Sequence, residues 1–327
     1  MINGHGDDAR LYPSIRVNFA QGVAQQPRLP ALYTHLAEHL SLLSDYPEPD
    51  AATVEHRIAR HLGVLPANVL ATAGATAAIY LIAQANRGVR SAILQPTFAE
   101  YADACRMHAH TLRHIYQPED LPSDADLLWV CNPNNPTGQV WNTLPEAPLL
   151  VCDHSYEAFT EQPLMTAAEA VDQGNVLIVG SLTKTFGVPG LRIGYVVGAA
   201  PLIQRLRPFR QPWTLGGLAA VAVDYLLSHA QDFAVDPRAI TRERERMSAA
   251  LAAVAPITVW PSDSHLLLCQ LRTGKAAALK HWLATEHGLL IRDASNFEGL
   301  SPAFFRIAPQ RPEQNDELLR ALPLWFR

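Results

Sequence analysis

Val176-Leu177-Ile178-Val179-Gly180-Ser181-Leu182-Thr183-Lys184-Thr185-Phe186-Gly187 is the stretch on which this chain turns. Its apolar first half reads as a buried strand. The strand runs into Lys184, one of only three lysines among 26 basic residues. The other two, Lys275 and Lys280, sit close together in a polar-faced helical stretch and read as surface charge. A chain that elsewhere uses arginine needs an amine at 184. A guanidinium stays protonated and is no nucleophile, whereas a lysine can lose its proton and form a Schiff base.

Outward from that strand the pattern is regular. Residues 51–62 form an amphipathic helix, with Asp50 as N-cap and Gly63 just past its end. Helices at 75–86 and 97–109 alternate with short apolar strands at 91–95, 112–115, 127–131, 148–152, 176–180 and 193–197. Alternation of this kind predicts right-handed βαβ crossovers, a mostly parallel sheet and a three-layer α/β/α domain. After Trp213 come two long helical stretches. The tail mixes strands (257–260, 265–271, 289–291, 304–307) with helices (275–287, 312–322), the rhythm of a smaller α+β domain. The expected division is an N-terminal arm (1–45) joining the small domain, a large domain (46–225) and the small domain (226–327).

Composition narrows the class of function. The chain has 327 residues, 48% apolar and 17% charged, which is globular rather than disordered. A net charge of −5 gives no electrostatic reason to expect nucleic acid or an anionic membrane as partner. No apolar run is long enough to span a bilayer, and Met1–Arg10 lacks the layout of a signal peptide. Cys105, Cys131, Cys152 and Cys269 are far apart with no C-x-x-C pair, so buried free thiols in a reducing cytoplasm are expected, and no metal site.

Four segments place unusual polar residues where ligands bind an open α/β sheet. Thr72-Ala73-Gly74-Ala75-Thr76 opens a helix with small residues, leaving N–H groups free for a phosphate, although a tight helix start also explains it. Cys131-Asn132-Pro133-Asn134-Asn135-Pro136-Thr137-Gly138 is a rigid turn that presents three amides, costly unless they bind something. Asp153 emerges from an apolar strand, which calls for a cation or a capping N–H, and Tyr156 follows three residues on. Ser181 and Lys184 are joined eight residues later by Arg192, a candidate bidentate phosphate ligand. Together these offer an amine for a carbonyl, a carboxylate for a ring N–H⁺, donors for a ring oxygen and a cradle for a phosphate. Those are the handles of pyridoxal 5′-phosphate (PLP), an electron-sink cofactor.

Over nearly its whole length the chain resembles the fold-type I PLP enzymes of the aspartate aminotransferase superfamily. The Asn-Pro-Asn-Asn-Pro-Thr-Gly turn, the Asp-x-x-Tyr turn and the Ser-x-Thr-Lys…Gly-Leu-Arg-x-Gly-Tyr run carry the resemblance. It implies that Lys184 is the Schiff-base lysine and that Asp153 pairs with the ring nitrogen. Asn135 and Tyr156 would reach the ring 3′-oxygen. Ser181, Arg192 and the backbone at Gly74, Ala75 and Thr76 would hold the phosphate. Phe98 or else Tyr101 would stack on the ring. Tyr46, in Tyr46-Pro47-Glu48-Pro49-Asp50, looks like a tyrosine that reaches the phosphate of a neighbouring subunit, which implies a homodimer.

Within the superfamily, threonine-phosphate decarboxylases of cobalamin side-chain synthesis and histidinol-phosphate aminotransferases compete. His5-Gly6, Gln211-Pro212-Trp213-Thr214 and the run Leu290–Leu300 look more like the decarboxylase. In either case the substrate is a phosphorylated amino acid or amino alcohol. Arg306 would hold its carboxylate and Arg292 its phosphate. A non-catalytic PLP-binding regulatory module is the reading from another class, and no appended DNA-binding extension supports it. Two departures stand out: His154 replaces an expected Glu, and the arm segment Phe19-Ala20-Gln21-Gly22 matches the family poorly.

Overall fold

The computed structural model describes residues 8–254 and 256–326, so His5-Gly6 lies outside the described residues. The arm contributes β1 (Val17–Asn18). Seven strands then build one sheet: β2 (Val69–Thr72), β3 (Arg90–Leu94), β4 (Thr111–Ile115), β5 (Leu127–Cys131), β6 (Leu150–Asp153), β7 (Val176–Ser181) and β8 (Gly194–Gly198). Their order is β2-β8-β7-β6-β5-β3-β4. All neighbours run parallel except β8, which is antiparallel to both β2 and β7. After these come β9 (Ile257–Val259), β10 (Leu267–Leu271), β11 (Leu289–Leu290), β12 (Arg292–Asp293) and β13 (Phe304–Ile307). The order β12-β13-β10-β9 makes an antiparallel second sheet, while β11 pairs in parallel with β1.

The central strands β5, β6 and β7 are apolar up to their carboxyl ends, where Asp153 and Ser181 stand, because both faces of the large sheet are covered. Leu128, Val130 and Ile178 face a core shared with helices Ala52–Leu62 and Gly217–Ser228. Leu127, Trp129, Leu177 and Val179 face the opposite core, under helices Ala75–Ala85, Glu100–Met107 and Ala200–Leu206. The three layers expected from the alternation are thus present. A separate core beneath the second sheet gathers Met247, Leu251, Leu279, Leu283 and Leu318. Val17 and Phe19 of the arm enter that core, whereas Leu32 packs into the first, so the arm bridges both. The division expected at 225/226 falls inside helix Gly217–Ser228.

Several local expectations need correction. Helix Ala52–Leu62 is capped by Ala51, in the left-handed region at φ 51°; Asp50 Oδ1 still accepts the Ala52 N–H at 3.2 Å. Lys280 is no solvated charge: it is largely buried and ion-paired with Asp8. The helix expected at 97–109 spans Glu100–Met107. The strand expected at 289–291 is β11, Leu289–Leu290, and an unexpected strand, β12 at Arg292–Asp293, follows it in a different sheet. All four cysteines are buried and free, and no helix among the described residues is long and apolar enough to cross a membrane.

This topology assembles the site. β5, β6 and β7 are adjacent and parallel, so their carboxyl ends lie side by side, with Cys131 opposite Asp153 and Asp153 opposite Val179. β8 places Gly194 between Ser181 and Thr72, bringing the start of helix Ala75–Ala85 to the same edge.

Candidate active site

Ten of the candidate site residues line one cavity at that edge. Phe98, Tyr101, Asn135, Asp153 and Tyr156 contribute one part of its wall, and Ala75, Thr76, Ser181, Lys184 and Arg192 another. Lys184 rides on a single helical turn, Leu182–Thr185, that starts where β7 stops. Ser181 caps the turn, its Oγ accepting the Thr183 N–H at 3.3 Å. Lys184 is half-buried, its Nζ 5.7 Å from the centre of the Tyr156 ring.

Asp153 is 3% exposed. Tyr101 donates its hydroxyl to Oδ2 at 2.7 Å, and the Ser155 N–H donates to Oδ1 at 2.8 Å. Burial pushes the carboxyl up from its ordinary range, with the Ser155 and Tyr101 hydrogen bonds and the Lys184 charge pulling the other way. Tyr101 therefore serves Asp153. Its ring is buried and stacked on Trp129 at 5.7 Å, and it lines the cavity beside Phe98, so both aromatic candidates stand at the site. Sequence reading missed this role, because nothing in spacing reveals that the helix bearing Tyr101 sits under the end of β6.

The asparagine turn divides its labour differently from the sequence expectation. Asn132 and Asn134 bind the protein itself. Asn132 exchanges two hydrogen bonds with the Trp141 backbone, at 3.0 and 2.9 Å. Asn134 donates to the Pro96 carbonyl and Thr137 Oγ1 and accepts from Thr97 Oγ1. Asn135 alone of the three lines the cavity. Its Oδ1 accepts from Arg306 at 2.5 Å, so its amide N–H₂ is what it has to offer.

An anion cradle closes one end. The first N–H groups of helix Ala75–Ala85 have no intrahelical partner, and the helix dipole favours negative charge there. Gly74 precedes them at φ 87°, where a Cβ would stand 2.4 Å from the Arg192 guanidinium. Glycine thus lets backbone and guanidinium converge on one spot. Arg192 is held in the left-handed region at φ 53°, with Nη1 donating to the Pro189 carbonyl at 3.1 Å.

Arg292 and Arg306 face each other as directly paired residues of β12 and β13. Both are buried, at 7% and 3% exposure. Burial lowers the Arg292 pKa to about 10, with the neighbouring Arg306 charge adding to the shift, and burial also lowers that of Arg306. Uncharged acceptors hold Arg306: Asn135 Oδ1 and the Ala20 carbonyl. Its Nε is buried without a partner. Arg292 donates to Asn296 Oδ1 at 2.8 Å and lies 5.3 Å over the Phe297 ring.

Arg292 and Arg306 do not themselves line that cavity, and Arg306 meets its wall through Asn135. Two further residues lie apart from it. Tyr46 is 89% exposed, packs against Trp213 and does not line the cavity of its own chain. His154 is buried beside Asp153, its Nε2 3.2 Å from Cys152 Sγ and its Nδ1 3.9 Å from Glu157.

The chain belongs to the aminotransferase class I and II family, whose model matches residues 15–322. It is similar to the threonine-phosphate decarboxylase of Salmonella typhimurium, 30% identical over 314 residues that cover 88% of this chain and 85% of that protein. It is similar as well to the histidinol-phosphate aminotransferase of Thermoanaerobacter pseudethanolicus, 29% identical over 304 residues, 86% of this chain and 84% of that protein. Among solved structures, the L-threonine-O-3-phosphate decarboxylase of Porphyromonas gingivalis superposes with a TM-score of 0.91 at 37% identity, covering 95% of this chain and 99% of that one. The family expected from the motifs is the family found.

Proposed function

We propose that this chain binds PLP and decarboxylates L-threonine O-3-phosphate to aminopropanol phosphate, a step of cobalamin side-chain synthesis. The donor set suits the cofactor. A buried carboxylate whose ionised form is penalised by burial gains from a protonated ring nitrogen. The cradle of Ala75, Thr76, Ser181 and Arg192 suits a phosphate ester, Asn135 and Tyr156 suit a ring oxygen, and Lys184 suits an aldehyde. When bound, the cofactor supplies a π system that accepts the electrons of whichever substrate Cα bond stands perpendicular to its ring.

The chain's own residues decide which bond that is. Arg306 grips the substrate carboxylate and Arg292 the phosphate, and two grips fix the rotation of the Cα substituents. Asp153, steadied by Tyr101 and Ser155, keeps a negative charge under the far side of the site. Lys184 is the amine within the cavity that can carry a proton to Cα after the carboxylate leaves.

One observation carries the choice of substrate: two buried guanidiniums opposed across β12 and β13, which suit a carboxylate and a phosphate on one molecule. Threonine phosphate brings both at once, whereas an aminotransferase would meet them in turn, the phosphate on histidinol phosphate and the carboxylates on 2-oxoglutarate. The 37% identity to a decarboxylase of that name supports the same choice. The runner-up is an aminotransferase acting on histidinol phosphate, supported by the 29%-identical relative. Purified holoprotein with threonine phosphate and no keto acid should release CO₂. Turnover of histidinol phosphate with 2-oxoglutarate, without CO₂ from threonine phosphate, would reverse the assignment.

The working unit is a homodimer in which Tyr46 of each copy reaches the phosphate cradle of the other. Four buried free thiols support a reducing, cytoplasmic setting.

A further inference from the structure

We propose that His265 is a positioning residue that clamps arm residues 20–24 across the site, so that Arg306 and the Lys184 turn keep a fixed separation. Its kinetic consequences rest on the reaction proposed above; the clamp itself does not.

His265 lies two residues before β10 and is 4% exposed. Its ring is stacked on Phe159 at 3.9 Å between centroids and 22° between planes, and tilted against Tyr156 at 5.4 Å. Nε2 stands 3.1 Å from the Gly22 carbonyl oxygen. A carbonyl only accepts, so Nε2 carries the proton and Nδ1 is left as an acceptor. Nδ1 is buried without a partner. Burial outweighs the Gly22 hydrogen bond, and with the charges of Arg306 and Lys184 it brings the imidazole down to about 3. The ring is therefore neutral at any working pH, and one tautomer makes the contact.

Gly22 is shaped for this contact. It sits at φ +59°, and a Cβ there would meet Leu266 at 3.2 Å, His265 Nε2 at 3.3 Å and Tyr156 Cε1 at 3.4 Å. Two residues earlier, the Ala20 carbonyl accepts from Arg306. Two residues later, the Ala24 N–H donates to the Lys184 carbonyl at 2.9 Å. Gln26 adds a bond to the Thr185 carbonyl at 2.6 Å. This short segment thus runs from the carboxylate-gripping guanidinium to the amine-bearing turn, and His265 secures its midpoint while backing Tyr156. Loosening the midpoint slackens the grip on substrate more than it alters the groups that break the bond.

His265→Phe keeps a flat ring and removes the N–H donor; His265→Gln keeps an N–H donor of similar reach and removes the ring. In the cofactor-loaded enzyme, His265→Phe should raise KM for threonine phosphate about tenfold, as loss of one buried hydrogen bond implies, with kcat within about twofold. Amide exchange at Ala24 should quicken in the same variant. His265→Gln should return most of both effects. Unchanged KM and exchange in His265→Phe, or a fall in melting temperature without either change, would overturn the clamp. Should His265→Phe fail to fold, ¹⁵N-histidine spectra of the unmutated protein decide. An Nε2–H tautomer at neutral pH upholds the clamp, and an Nδ1–H tautomer or an imidazolium removes it. Exchange and tautomer need no substrate, so they judge the clamp even if the assigned reaction is wrong.

Discussion

Asp153 gains its place from a hydroxyl and an amide rather than from a fixed cation, which makes Tyr101 its most sensitive neighbour. A hydrogen bond to an ionised carboxylate favours the ionised form. Tyr101→Phe should therefore raise the Asp153 pKa, so the acid limb of the kcat/KM profile moves to higher pH. Stability should fall by about 1–3 kcal/mol, as for a buried acceptor left unmet, measured from the urea midpoint. An acid limb that stays in place would show that Tyr101 does not act on Asp153. Lys184→Arg tests the amine itself. Charge is kept and nucleophilicity lost, so all turnover and the absorbance band that the covalent link to the lysine gives the cofactor should vanish together. His154 gives a third test. Burial brings its pKa down to about 4, whereas an unfolded imidazole titrates near 6.5. Between those values the unfolded chain binds more protons, so stability must fall as pH falls from about 6.5 towards 4. His265 has the same sign. His154→Gln should flatten the slope of unfolding free energy between pH 7 and pH 5, and an unaltered slope would refute the assignment.

At the scale of elements, the turn after β5 shows where sequence reading stops. Three asparagines that look alike in sequence have three fates, decided by contacts with Trp141 just past the turn, Pro96 on an earlier loop and Arg306 on another sheet. Asn134→Ala removes three side-chain hydrogen bonds and should cost about 2–3 kcal/mol of stability. Asn135→Ala should instead leave Arg306 short of an acceptor and raise KM, a contrast that thermal melts and steady-state kinetics resolve. What was legible was local: apolar runs gave β3, β5, β6 and β7, and their polar ends gave Lys184, Asp153 and Asn135. What was not legible was pairing. β2 is four residues long, too short for any periodicity, and its identity comes from lying against β8. β8 turns back antiparallel because the link from Ser181 to Gly194 holds only two short turns, Leu182–Thr185 and Pro189–Leu191, and no crossover helix. The opposition of Arg292 and Arg306 is likewise a matter of register between strands, which neither residue's neighbours announce.

At the scale of the whole molecule, one exposed apolar surface suits the second copy of the chain proposed above. Leu40, Leu43 and Tyr46 are exposed at 52%, 71% and 89% within one segment, and Trp213 at 52% packs on Tyr46 at 5.7 Å. Clustered exposed apolar side chains of this kind mark interaction surfaces. If each Tyr46 completes the cradle of the other copy, a site is built from one chain's Lys184 and its partner's tyrosine. Lys184→Ala homodimers then have no amine in either site, and Tyr46→Ala homodimers have two weakened cradles. Dissociating and remixing the two proteins changes the arithmetic. In a mixed dimer the Tyr46→Ala chain supplies Lys184 while the Lys184→Ala chain supplies Tyr46, so one site is intact and the other carries both defects. Random pairing makes half the dimers mixed, so remixing should add about a quarter of wild-type turnover to what the Tyr46→Ala homodimers retain. Sedimentation should show the dimer throughout. Remixing that adds no activity would place Tyr46 in its own chain's site or in none.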